Sequence, residues 1–303
     1  MAAPESRPAI IAALVGNMLI AVTKAIAAAI TGSSAMLSEA VHSLVDTGNE
    51  VLLLYGQYRS TRAPDEIHPF GYGRELYFWC FVVALLIFAL GAGISIYEGV
   101  IHIRHPEAIT KPMINFIVLG LAFVFEGASW FVAWRGFQRA RGDGSFWHVI
   151  RASKDPTTFM VLFEDSAALI GIVIAAVGTA LAVHYDAPWI DGTASILIGF
   201  VLAGVAIVLA RESKNLLIGE RADPVLQQAI RDAAKREECV RSVSRVLTTH
   251  MAPDQVIATM DVEFDDDLTI PDVEKLIGRI EGGLRDRHPE LSRVFIRPRA
   301  PHK

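Results

Sequence analysis

The sequence predicts an all-α bundle of six transmembrane helices followed by a small cytoplasmic α+β domain. Three observations carry this prediction. The 303 residues are 52% hydrophobic with a mean hydropathy of +0.38, above what a water-soluble domain usually shows. Windows of about 20 mostly apolar residues, the length that crosses a bilayer, recur along the first two thirds of the chain. From about residue 219 charged and apolar residues alternate instead, over some 80 residues.

The membrane domain is expected over 1–218, with spans at roughly 8–31, 34–58, 76–101, 112–136, 157–184 and 189–212. The first window is too long for a secretory hydrophobic region and lacks a convincing small-residue cleavage site, so it reads as a retained span. Small residues recur in the later spans (Gly91 and Gly93, Gly171 and Gly178, Ser195, Gly199 and Gly204). In lipid, where no hydrophobic force joins helices, they let backbones approach closely. Cys80 and Cys239 form no CxxC pair, so neither a disulfide framework nor a thiolate metal site is expected. Cys80 reads as a small packing residue.

Orientation follows from the basic residues. Arg59, Arg62 and Arg74 flank one connection, Arg135, Arg139, Arg141, Arg151 and Lys154 another, and Arg211 and Lys214 follow the sixth span. The opposite connections hold only Arg104 and Lys111. The positive-inside rule then puts both termini and the soluble domain in the cytoplasm, with the cell (inner) membrane as host.

The soluble part, 219–303, reads as αββαβ. DPVLQQAIRDAAKREE has helical spacing, with Asp223 as a cap and Pro224 behind it. SVSRVLTTHM and QVIATMDVEF alternate with period two around the turn APD. TIPDVEKLIGRIEGGLRDRH is a second amphipathic helix, and SRVFIRP a last short strand. This order gives an open sandwich with its helices on one face. RPRAPHK reads as a solvated tail.

Ionisable residues interrupt two of the spans. The second carries His42 and Asp46, four apart and so one turn apart on a shared face; the fifth carries Glu164 and Asp165. A charge at the centre of a membrane helix costs roughly 2.5–3.5 kcal/mol on insertion scales, so such residues face a polar interior and serve a purpose there. Imidazole and carboxylates suit a divalent first-row cation. Glu164 sits about 100° around the helix from Asp165, which leaves it as a fourth ligand, a supporting partner or a proton carrier. Glu126 in the fourth span is a further intramembrane acid. Lys24 and Asn17 in the first span are expected to snorkel or hydrogen-bond. The net charge of −5 gives no case for nucleic-acid binding, and the absence of HExxH and GxSxG argues against an enzyme.

GSSAMLSEAVHSLVDTGN, followed by PDEIHPFGYGRELYF, resembles the cation diffusion facilitator family of divalent-metal/proton antiporters. Six spans and a cytoplasmic αββαβ domain are also that family's layout. The resemblance implies a tetrahedral site of two ligands from the second span and two from the fifth, each pair four apart. His42, Asp46 and Asp165 fall on three of those positions. The fourth falls on Val161, which cannot bind metal. MVLFED resembles a subgroup related to mitochondrial zinc transporters, in which the same replacement occurs. A peripheral family site falls on Asp65 and His68, but its later histidine is Tyr72 here. Positions that often hold paired ligands in the soluble domain read Arg245, Asp261, Arg297 and Arg299. Arginine repels a cation, so no binuclear cluster is expected there, and His250 and Asp254 read as a solvated turn. Arg74 and Glu220 fall on a family ion pair that acts as a hinge.

The resemblance thus implies a Zn²⁺/H⁺ antiporter that moves metal out of the cytoplasm by alternating access, as a homodimer joined through the soluble domain. His42 is the natural coupling group, because imidazole changes charge near neutral pH and binds metal only when neutral. The oxygen-rich ligand set keeps Mn²⁺, Fe²⁺ and Co²⁺ as alternative substrates. The other alternative is a non-transporting, metal-binding membrane partner of a heterodimer.

Overall fold

The computed structural model describes residues 6–141 and 154–299; Arg151 and the end of the RPRAPHK tail lie outside the described residues. The long helices are α1 (Ser6–Thr31), α2 (Ser34–Ser60), α3 (Arg74–Leu86), α4 (Gly93–Arg104), α5 (Pro112–Arg141), α6 (Pro156–His184) and α7 (Trp189–Ile218). A π-helical segment, Ile87–Ala92, joins α3 to α4 without a break. Each apolar window of the sequence therefore lies on a helix, the third on the α3–α4 composite. By length and composition, five of these stretches are apolar enough to cross a membrane, α3–α4 counting as one. Helix α2 is long but falls short in hydropathy, because Glu39, His42, Asp46 and Glu50 all lie on it.

Two compact units emerge. One gathers the chain up to Tyr58, from Phe78 into α5, and from Pro156 to Ser213; the other gathers Arg59–Tyr77 with the chain from Lys214 onward. In the helical unit the usual pattern of exposure is inverted. Leu19, Val132 and Phe200 are 63%, 72% and 62% exposed, while α2 buries Ser34, Ser38, Glu39, His42, Ser43 and Asn49. Apolar outside and polar inside is the arrangement of a protein solvated by lipid.

Two devices hold this unit together. Glycines allow a close helix approach between α4 and α7: a Cβ on Gly99 would lie 2.5 Å from the carbonyl oxygen of Gly192, and one on Gly192 would lie 2.8 Å from that of Gly99. Buried polar side chains set the register. Asp191 at the start of α7 accepts from Ser33 Oγ (2.8 Å) and the backbone N–H of Ala35 (3.1 Å), satisfying one of the orphan donors at the start of α2, while Ser33 Oγ takes that of Met36. Ser38 and Ser195 share a hydrogen bond, and Ser195 Oγ donates onward to the Ser95 carbonyl at 2.8 Å.

The other unit contains α8 (Pro224–Lys235), β1 (Val240–Ala252), β2 (Gln255–Phe264), α9 (Ile270–Arg287) and β3 (Leu291–Pro298). The sheet order is β1-β2-β3, antiparallel then parallel. Asp223 caps α8 by accepting from Val225 N at 2.7 Å, with Pro224 at the first helical position. Ile230, Ala234, Met260, Val262, Leu276, Ile280 and Leu284 share one core. The expected alternation blurs on β2, where Val256–Ala258 and Met260–Val262 are all buried, because β2 is the middle strand.

Candidate metal centre

The polar stripe of α2 dictates the site. His42, Asp46 and Glu50 recur every four residues and so share one helix face. Asp46 and Glu50 border a narrow cavity of about 40 Å³ whose wall also includes Glu126 of α5 and Glu164 and Asp165 of α6. Five carboxylates thus line a space with room for only a few water-sized groups. A wider space of about 560 Å³ shares Asn17, Glu50 and Ser129 with it and is otherwise walled by residues such as Leu19, Leu121 and Phe125.

Most of these acids already have one donor each. Asn17 Nδ2 donates to Glu50 Oε1 at 2.6 Å, Asn49 Nδ2 to Glu164 Oε1 at 2.9 Å, and Ser129 Oγ to Asp165 Oδ2 at 2.9 Å. His42 and Asp46 differ. The His42 ring is 1% exposed, and neither ring nitrogen has a hydrogen-bond partner. Its Nδ1 lies 3.3 Å from Asp46 Oδ1, which is also unpartnered. Buried polar atoms are almost always satisfied, so these three stand out, as do Glu39 Oε1 and Asn49 Oδ1 on the same helix.

The four expected ligands therefore stand as two pairs, His42 with Asp46 on α2 and Glu164 with Asp165 on α6. Among the described residues, no three His, Cys, Asp or Glu side chains are gathered around one point as an ion would need. Val161 forms part of the cavity wall, so the position without a ligand does face the space. Sequence reasoning missed Glu50, although its i+4 and i+8 spacing from Asp46 and His42 was a readable signal. Lys24 does not snorkel: it is fully buried and bonded to Glu39 and Ser43.

Outside the membrane helices, Asp65 organises its own loop. Its carboxylate accepts from the backbone N–H groups of Ile67 (3.0 Å) and His68 (2.6 Å) and from the Tyr72 hydroxyl. The Tyr72 hydrogen bond, with the backbone donors behind it, holds the Asp65 carboxyl below the usual range. The side chains of Asp65 and His68 are 46% and 48% exposed, with His68 Nδ1 3.5 Å from Asp65 Oδ1. The expected Arg74–Glu220 hinge pair is not formed. Glu220 is taken by Lys154, and the Nε of Arg74 is buried without a partner. In the sheet, Asp261 accepts from both Arg297 Nε (2.8 Å) and Nη2 (2.7 Å), with Arg299 Nη1 at 3.3 Å. His250 is not a solvated side chain: it is buried, with Nδ1 3.2 Å from the Ala252 carbonyl oxygen, while Asp254 lies in the exposed turn.

Residues 10–218 match the cation efflux transmembrane domain, and residues 222–298 match the cytoplasmic domain of cation efflux proteins. The chain belongs to the cation efflux family. This cation efflux protein is 35% identical over 259 residues to the proton-coupled zinc antiporter SLC30A9, mitochondrial, of Xenopus laevis, covering 84% of the chain and 46% of that protein. The Homo sapiens SLC30A9 is 34% identical over 237 residues, 78% of the chain and 42% of that protein. Metal tolerance protein C4 of Arabidopsis thaliana is 30% identical over 253 residues, 83% of the chain and 55% of that protein. The chain therefore spans less than half the length of these SLC30A9 relatives. Its family is one of membrane transporters rather than enzymes, and its apolar helices are those of a multi-pass membrane protein.

Proposed function

We propose that this chain exports a divalent cation, Zn²⁺ first, in exchange for protons, from a site built by His42, Asp46, Glu164 and Asp165. The observation that carries the reading is the set of unpartnered polar atoms of His42 and Asp46 beside a cavity crowded with acids from α2, α5 and α6. Five carboxylates in so small a volume require counter-charge, and either protons or a dication can supply it. The two occupants therefore exclude one another, which is the physical basis of antiport. An ion entering through the wider adjoining space sheds its water onto Asp46 and Asp165. It draws the α2 and α6 pairs together, and the neutral imidazole of His42 completes the grip. Protonation on the far side weakens that grip and releases the ion.

In this reading α2 is a sixth span. Its polar residues Ser38, Glu39, His42, Ser43 and Asn49 are buried rather than turned outward, so hydropathy alone does not report it. The arginine-rich connections put both termini and the αββαβ unit on the cytoplasmic side of the cell membrane, and that unit pairs two copies into a homodimer. The match of residues 222–298 to a cytoplasmic domain of cation efflux proteins supports that side.

One observation favours a second substrate class. With Val161 in the wall where a nitrogen or oxygen ligand would otherwise stand, the set is rich in oxygen, which suits Mn²⁺, Fe²⁺ or Co²⁺ better than a nitrogen-rich site would. Proteoliposomes loaded with a metal-sensitive dye and given a pH gradient test both readings. Proton-driven Zn²⁺ flux lost in Asp46→Ala is expected, and undiminished flux in that variant rules out the site.

A further inference from the structure

Lys24 of α1 is 0% exposed, and among the described residues no other lysine or arginine is buried. Its ammonium donates to Glu39 Oε2 at 3.0 Å and to Ser43 Oγ at 2.8 Å, both on α2. Glu39 is likewise 0% exposed, and its second oxygen, Oε1, has no hydrogen-bond partner. That oxygen rests against the backbone of Gly171 on α6, where a Cβ would collide with it. Ser43 lines the acid-walled cavity. The Lys24 side-chain nitrogen therefore sits one hydroxyl away from the cavity lined by five acids, held back by a sixth.

A staple between α1 and α2 does not need charge. A buried ion pair is often no more stabilising than apolar side chains of the same volume, because desolvation cancels most of the attraction. What apolar side chains cannot do is act at a distance on an ion in the cavity. We propose that Lys24 is a resident cation that sets how tightly the cavity holds its divalent substrate, with Glu39 as the counter-charge that limits its reach. Lys24 opposes the entering dication and so prevents the acids from trapping it. Glu39 screens that opposition enough for binding to occur. Ser43 fixes the distance between the ammonium and the cavity. This inference rests on the cavity being the metal site.

The test measures the Zn²⁺ dissociation constant of the full-length protein in lipid nanodiscs, by competition with a chromogenic chelator at fixed pH. Lys24→Met is expected to bind about tenfold more tightly and Glu39→Gln about tenfold more weakly, the effect of one unit charge acting through a partly polarisable interior. The double variant, with neither charge, returns to within about twofold of the parent. A pair that only holds helices together would leave the constant of the folded fraction unchanged, or shift both single variants the same way; either result overturns the proposal. If a single variant does not fold, Ser43→Ala keeps the ion pair but lets Lys24 lean away from the cavity, and about threefold tighter binding is expected. An unchanged constant there is equally fatal. Parent binding that is insensitive to Asp46→Ala would instead remove the cavity reading itself. Asp46-dependent binding without the opposed shifts removes only the role of Lys24.

Discussion

Asn49 on α2 donates through Nδ2 to Oε1 of Glu164 on α6 across 2.9 Å, and the two side chains are 0% and 7% exposed. This bond ties together the two helices that carry the proposed ligands, and it occupies one oxygen of Glu164, the acid proposed to complete the set in place of a ligand at Val161. Asn49→Ala leaves that oxygen buried without its donor, a loss of about 1–3 kcal/mol. The thermal midpoint of the purified protein is expected to fall, and added zinc to raise it by more than in the parent, because Glu164 is then free to turn to the ion. Differential scanning fluorimetry with and without zinc reads both effects; an equal zinc response in the two proteins would show that Glu164 takes no part.

Val161 stands four residues before Asp165 and forms part of the cavity wall. Val161→Asp puts a carboxylate on that wall, on the helix face of Asp165. Zinc affinity is expected to rise by about tenfold or more, since each added charged ligand strengthens the hold on a dication. Turnover is expected to fall because release slows. Equilibrium binding and single-turnover flux check the two halves, and an unchanged affinity would mean that position 161 does not address the ion.

Two glycines on neighbouring helices should respond in opposite ways to the same change. At Gly171 an added methyl runs into the Glu39 carboxylate, whereas at Gly204 it meets no atom within 4 Å. Gly171→Ala is expected to destabilise by about 1–3 kcal/mol through overpacking. Gly204→Ala should be neutral or slightly stabilising, as alanine is the better helix former. Thermal midpoints of the two variants decide the comparison.

The sheet should carry a pH dependence of its own. Burial pushes the imidazole of His250 below its ordinary pKa, more than the Ala252 carbonyl raises it. The unfolded chain then takes up a proton near pH 6.5 that the folded sheet refuses. Stability of this unit is therefore expected to be full above about pH 6.5 and to decline as the pH falls through it. Asp261 works in a different window. Hydrogen bonding to Arg297 holds its carboxyl below the usual range, so its contribution persists through that decline and is lost only at more acid pH, below about 3.9. Hydrogen exchange of the β1 amides in the full-length protein, compared between the parent and His250→Gln, checks the first step. A profile that His250→Gln does not flatten refutes the assignment.

What the sequence made legible follows its periodicities. The six apolar windows fall on helices, with ends that differ mainly where helices run on into polar flanks, as α7 does to Ile218. Caps were readable because their chemistry is local: Asp223 and Pro224 announce α8 within two residues. Side-chain pairings across helices were not, because they depend on how two helices rotate against each other. Lys24 and Glu39 are 15 residues apart, nearly symmetric about the turn at Gly32, so the spacing puts them at one level, but which faces meet depends on the rotation of the two helices. The same limit explains Glu220, whose partner is Lys154, 66 residues earlier, rather than Arg74. Glu50 was a different kind of miss: its position was available from the helical repeat of α2 alone.

The polar stripe of α2 also bears on how the protein is made. A helix with Glu39, Asp46 and Glu50 among its residues gains little by leaving the translocon for lipid on its own. Joined to α1 by the short turn at Gly32, it can instead enter as a hairpin in which the ammonium of Lys24 cancels the carboxylate of Glu39 before either meets hydrocarbon. Biogenesis would then depend on a charge match between α1 and α2 as they leave the ribosome. Lys24→Met should therefore reduce the amount of protein inserted at synthesis, and Lys24→Met/Glu39→Gln should restore it.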